Sequence, residues 1–190
     1  MTRSLLQRLG RFVRDRFLLG RAEAIVRGYT PDQQACIRQL HDAAMNRIAL
    51  ADESTDAWFA PAAVTLYREA IRSLASALLV SKNLAPPGPP LDLPTAVAKV
   101  EELARSGELP PLPARHEDAK ALLETPDHLL FAQQDRREAL RGRAAVEALG
   151  QWLGRHVEPR SIRQLWGARV VRVSLVVAAV LAVIRFAVPH

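Results

Sequence analysis

Cysteine is almost missing: Cys36 is the single one in 190 residues. One thiol closes no internal disulfide and builds no thiolate cluster, so a stapled scaffold and a cysteine-ligated metal centre are both excluded. Aromatic residues are scarce at 5%, and no segment alternates apolar and polar residues as a half-buried strand does. Glycines never gather into a phosphate-cradling loop, and no nucleophile elbow is present. The five histidines are His41, His116, His128, His156 and His190. None has a second histidine at zinc-protease spacing; "HEDAK" at 116–120 supplies the first His and Glu alone. No paired Glu-x-x-His supports a di-iron bundle. His41 beside Asp42, and Glu101 beside Glu102, read as solvated helix faces. Cys36 reads as a small buried hydrophobe. No catalytic, cofactor-binding or metal-binding residue is expected from this inventory, and no cofactor.

What the chain has in abundance is alanine, leucine and arginine, all strong helix formers. Hydrophobic residues make up 49% and charged residues 24%, enough to pack a core and too apolar for global disorder. The 13 prolines all fall at helix starts, helix ends or linkers. Because an interior proline costs a helix about 3 kcal/mol, this placement points to an all-α bundle of four to five helices.

The segments follow from their punctuation. Residues 1–29 form a basic amphipathic helix with Leu5, Leu9, Phe12 and Val13 on one face. It lacks the apolar core of a signal peptide. Asp15 and the GC-rich bacterial look of the composition set a mitochondrial presequence aside. Packing on the body and lying on a membrane surface both remain open for it. "TPDQ" then offers Thr30 as N-cap, Pro31 in the first turn and Gln33 to complete a capping box. A helix over about 31–50 follows, with Ile37, Leu40, Ala44 and Ile48 inward, broken by "ADESTD". The next helix, 57–82, has the strongest periodicity of the body, through Val64, Tyr67, Ile71, Leu74 and Leu78. A proline-rich linker spans 84–94. Asp92 caps a helix over 93–106 with Val97, Val100 and Leu103 inward, and Gly107 stops it. A short helix follows around 114–124. "TPDH" opens a long helix over 126–155, burying Leu130, Leu140, Ala144, Ala148 and Trp152. Ser161 and Gln164 form a second capping box before the last helix. The domains are therefore 1–29, a bundle over 30–157, and a collar with a single transmembrane helix over 161–188.

Charge is divided unevenly. Residues 1–30 carry seven arginines against Asp15 and Glu23, and residues 151–190 carry six against Glu158. The middle is net acidic. Basic ends around an acidic body argue against nucleic acid as a partner and fit ends that meet anionic lipid.

The segment "WFAPAAVTLYREAIRSLASALLVSK", 58–82, carries an aromatic-Arg-x-Ala pattern followed by Ala-Leu-Leu: Tyr67, Arg68, Ala70, Ala77, Leu78 and Leu79. With the preceding "QLHDAAMNRIALADE" it resembles the HEPN class of helical-bundle domains over about residues 30–157. That resemblance implies a nucleotide- or RNA-binding bundle. The family's ribonuclease motif, Arg-x4–6-His, occurs only as Arg185 to His190, in the tail and with a proline before the histidine. The resemblance therefore implies a degenerate ribonuclease or a non-catalytic binding or dimerising bundle.

The tail, "RVVRVSLVVAAVLAVIRFAVPH", holds the longest apolar run, Val173 to Ile184. By its twelve residues it reads as a buried helix. Its flanking arginines open a second reading. Arg172 and Arg185 lie roughly 20 Å apart along a helix, and their side chains snorkel outward from each end. Eight large aliphatics, Val173, Leu175, Val176, Val177, Val180, Leu181, Val183 and Ile184, contribute about −2.5 to −5 kcal/mol to insertion. Trp166 sits where an interfacial aromatic belongs, with Arg163 and Arg169 beside it. Ser174, Ala178 and Ala182 form a small-residue stripe that suits helix dimerisation.

The expectation is a non-catalytic, membrane-anchored interaction or scaffold module. It is single-pass in the inner membrane with its N-terminus cytoplasmic, its partners being membrane lipid and a protein or a second copy of itself. Two alternatives stay beside it: the HEPN-like nucleotide or RNA binder, and the N-terminal piece of a longer membrane protein.

Overall fold

The computed structural model describes residues 22–53, 61–125 and 136–187. Leu5, Leu9, Phe12, Val13, His128, Leu130 and His190 lie outside them, as does the Leu140 side chain. All regular structure among the described residues is helical: a segment over 22–27, then α1 (Pro31–Glu53), α2 (Pro61–Ser81), α3 (Leu93–Arg105), α4 (His116–Glu124), α5 (Arg136–His156) and α6 (Ile162–Ala187). The chain divides into two compact units. Thr30–Pro159 forms the body, and the described residues 22–29 and 160–187 belong to the other.

The body is built around α2, which packs against α1, α3, α4 and α5. From Ala70 to Val80 every residue except Arg72 is buried, so the helix with the clearest periodicity becomes the hub. α1 and α2 run antiparallel, tied at both ends. At one end the expected capping box forms: Gln33 N–H donates to Thr30 Oγ1 at 3.2 Å, and Thr30 N–H to Gln33 Oε1 at 2.9 Å. Gln33 Nε2 then donates to Asn83 Oδ1. Asn83 ends α2 in the left-handed region at φ 60°, a conformation asparagine tolerates, and Leu84 N–H returns to Leu79 O.

At the other end the structure departs from expectation. α1 continues through Asp52 to Glu53, past the break expected near Leu50, because Asp52 has long-range partners. Tyr67 Oη donates to Asp52 Oδ1 at 2.5 Å, and Arg143 Nη2 lies 3.6 Å from the same oxygen. Ile48, expected inward, is only half-buried, and Ala51 takes the buried position one turn on.

The proline-rich linker is pinned along its length. Arg72 Nε donates to Leu91 O at 2.7 Å and Arg72 Nη2 to Pro90 O at 3.2 Å; Leu91 N–H donates to Ser76 Oγ. Gly88 N–H reaches Cys36 Sγ at 3.4 Å. Cys36 is thus half-buried and hydrogen-bonded to the loop, not sealed in the core. Asp92 caps α3 as expected, accepting from Thr95 N–H at 3.0 Å, and Gly107 at φ 82° lets Leu109 N–H close back on Leu103 O. Ala96, Val100 and Leu103 form its buried face, with Val97 half-buried.

α5 presents a different face from the expected one. Ala145, Val146, Leu149, Trp152 and Leu153 are buried, whereas Ala144 is exposed and Ala148 half-buried. The cause is Gly142: a Cβ there would lie 2.9 Å from Leu122 Cδ2, so α4 settles on the glycine and turns the stripe by one residue. Trp152 Nε1 donates to Pro111 O at 3.1 Å, which holds the second proline break against the bundle.

Candidate membrane anchor and its basic collar

The second unit grows from a local signal at Ser161. Gln164 N–H donates to Ser161 Oγ at 3.3 Å, and Ser161 N–H to Gln164 Oε1 at 2.9 Å. This reciprocal cap starts α6 at Ile162. Its first turns are covered by the 22–29 segment: Val26 and Leu165 are buried together, with Ala22, Tyr29 and Ile162 packed around them. Leu165 is the last buried residue described in α6. From Val170 to Ala182 every residue except Arg172 is exposed.

α6 has 26 residues, about 39 Å of helix at 1.5 Å per residue, against a hydrocarbon core of about 30 Å. Its stretch Ile162–Ala182 is long and apolar enough to cross a membrane, and only 6% of it is buried. Val173, Leu175, Val176, Val177, Val180 and Leu181, expected to form an anchor, are each at least half exposed. They lie on all sides of the helix, as do Val170 and Val171. Val183 and Ile184 continue the backbone of α6; their side chains lie outside the description. Ser174, Ala178 and Ala182 are exposed and recur at every fourth position.

Below this stretch lies a cluster the sequence does not announce. The Arg169 guanidinium sits 5.1 Å from the centroid of the Trp166 ring, a cation–π distance. Arg27 Nη2 donates to Glu23 Oε1 at 2.8 Å. That bond holds the Glu23 carboxyl below the usual range, and the Trp166 indole N–H and the Arg169 charge add to the effect. Glu23, Arg27, Trp166 and Arg169 thus join the two chain ends at the foot of the apolar stretch. Arg163 and Arg169 are exposed, as is Arg185 beyond it, while Arg172 is half-buried.

Within the body, one group has the composition of a metal site. Glu101, His116 and Glu117 bring ligand atoms within 4.8 Å of one another. Glu101 is not a solvated face: its side chain is 14% exposed and its carboxylate holds Lys120 Nζ at 3.0 Å. That pairing raises the Lys120 amine above its ordinary value. His116 Nδ1 lies 3.1 Å from Pro113 O, and Nε2 lies 3.0 Å from Glu117. Lys120 already neutralises Glu101, and the first turn of α4 carries the positive end of its dipole, so the group joins α3 to α4 as a charge-balanced contact. Beside it is an open recess of about 330 Å³. A narrow apolar cleft lined by Ala75, Val100, Leu149 and Leu153 among others is about 10 Å³, room for one water at most.

The residues that carry the HEPN resemblance lie together on α2. Tyr67, Ala70, Ala77, Leu78 and Leu79 are buried, and Arg68 Nη2 donates to the carbonyls of Leu122 and Thr125, closing the end of α4. Each has a packing role in the bundle. No protein-family model, curated protein or solved structure matches the chain.

Proposed function

We propose that this protein is a non-catalytic helical interaction module, anchored by α6 as a single span in the inner membrane with the body on the cytoplasmic side. The observation that carries the reading is the uninterrupted exposure of α6 from Val170 to Ala182, Arg172 excepted. A helix apolar around its whole circumference is stable inside a protein core or inside a lipid bilayer, and no described residue covers this one. Orientation follows from charge: Arg155, Arg160, Arg163 and Arg169 precede the apolar run and Arg185 alone lies near its far end. Basic residues stay on the cytoplasmic side. The body offers a protein partner, or a second copy, a rigid bundle held at the membrane face.

Membrane fractionation of the full chain and of a version ending at Arg169 tests the anchor. The full chain is expected in the carbonate-washed membrane and the shortened chain in the supernatant. Recovery of both in the supernatant overturns the reading.

A further inference from the structure

The Glu23–Trp166–Arg169 cluster has a composition that packing alone does not require. The described part of the chain-end unit, 22–29 with 160–187, contains six arginines and a single carboxylate, Glu23. That carboxylate is committed to Arg27 at 2.8 Å and is itself only 16% exposed. Arg27 thus takes the one carboxylate described in this unit, and Arg169 adds a further positive charge to it. Arg169 is exposed and stacked 5.1 Å from the Trp166 centroid. The Trp166 ring beside the guanidinium serves as its apolar platform. A guanidinium held flat on such a platform keeps its planar fork ready for a bidentate acceptor.

Resting on the membrane-anchor reading, we propose that Arg169, presented by Trp166, is a binding site for the phosphodiester of an anionic phospholipid. Position selects this ligand. Arg169 lies one residue before the exposed apolar stretch that begins at Val170, which is headgroup level when that stretch is in lipid. Trp166 lies one turn further from the hydrocarbon, and Arg172 one turn nearer. Single anionic headgroups suit the net positive charge of this unit.

The test uses the full chain reconstituted into vesicles of phosphatidylcholine alone or mixed with phosphatidylglycerol. Bromine-labelled lipid of each class reports contact through quenching of Trp166 fluorescence, isolated by subtraction of a Trp166→Phe variant. Phosphatidylglycerol is expected to be preferred about fivefold, the ratio one basic residue gains beside an anionic surface. Arg169→Gln should erase the preference, and Arg169→Lys, which keeps the charge and loses the fork, should restore only part of it. Equal quenching by the two lipids in an inserted wild-type protein overturns the headgroup site and leaves the anchor standing. Full recovery by Arg169→Lys overturns the stacked-fork recognition in favour of bare charge. Loss of the preference on adding inorganic phosphate at matched ionic strength overturns the commitment to lipid. Failure of the chain to co-float with either vesicle overturns the anchor and the site with it.

Discussion

α2 and α6 are the two most apolar of the described helices, and each has one exception to its rule. From Ala70 to Val80 only Arg72 escapes burial; from Val170 to Ala182 only Arg172 escapes exposure. Composition does not separate them, since both are rich in Ala, Val and Leu and both interrupt the run with serine. What separates them is supply. Four amphipathic helices, α1, α3, α4 and α5, each have an apolar face to bury, and all four packings include α2. Its Ser73 and Ser76 are satisfied in place, Ser73 donating to Glu69 O and Ser76 accepting from Leu91 N–H. α6 has Val26, Tyr29 and Ala22 around its first turns, and from Val170 to Ala182 it is exposed at every residue but Arg172. A wholly apolar helix is thus a request for a solvent, and the remaining helices decide whether protein can supply it.

The sharpest way to break this comparison is to remove the same kind of side chain from each helix. Leu74→Ala is expected to cost the body about 3 kcal/mol, the usual loss for a fully buried leucine. Val177→Ala should change the stability of the full chain in neutral detergent, read from its urea midpoint, by less than about 0.5 kcal/mol. Equal losses at the two positions would show that protein covers α6 and would end the distinction between the helices.

A charge asks the converse question. Val177→Arg near the middle of the apolar run should oppose membrane insertion by about 3 kcal/mol. That corresponds to more than a hundredfold shift from the membrane fraction towards the supernatant. The body should keep its urea midpoint. A Val177→Arg protein that stays in the membrane pellet with a lowered body midpoint would place α6 against the bundle.

The comparison also marks how far the sequence is legible. Features written within a few residues read correctly: the Thr30–Gln33 and Ser161–Gln164 boxes, the Asp92 cap, the Gly107 stop and the inward stripe of α2. Features that depend on a distant partner do not. Ala144 looks inward by spacing from Ala148 and Trp152, but the stripe is set by Leu122 seating on Gly142. "ADESTD" looks like a break, but Tyr67 and Arg143 extend the helix through Asp52. Glu101 looks solvated until Lys120 from the next helix reaches it. In α6, the apolar stretch with its arginines and Trp166 is legible because their order along one helix suffices. The Glu23 link is not, because its members come from opposite ends of the chain.

Smaller effects sharpen the body side of the comparison. Tyr67→Phe removes the donor to Asp52 and should cost about 1.5 kcal/mol, the lower end for a hydrogen bond to a charged group, because Asp52 is half exposed. The same bond carries a pH signature. Burial first, then the bond to Asp52, raises the Tyr67 phenol above its ordinary 10.0. The folded value lies above the unfolded one, so this contribution is complete below the ordinary value and is lost as pH rises through the folded one. Urea midpoints should therefore fall with pH above about 10 in the wild type, and less steeply in Tyr67→Phe. Parallel slopes would show that Tyr67 is not the group responsible.

The smallest predicted effect compares two caps of the same design. Thr30 and Ser161 each accept from the N–H three residues on and donate their own N–H to a glutamine. Alanine at either position removes about 1 kcal/mol from its helix start. Thr30→Ala should appear in the cooperative unfolding of the body, because α1 is packed along α2 and Gln33 is tied to Asn83. Ser161→Ala should leave that transition in place. Its cost should surface as faster amide exchange in the first turn of α6, around Ile162 to Leu165, because local opening there does not require the body to unfold. If Ser161→Ala lowers the body transition as much as Thr30→Ala does, the chain-end unit and the body unfold as one cooperative block, and the contrast between a protein-covered α2 and an exposed α6 no longer describes how this chain is stabilised.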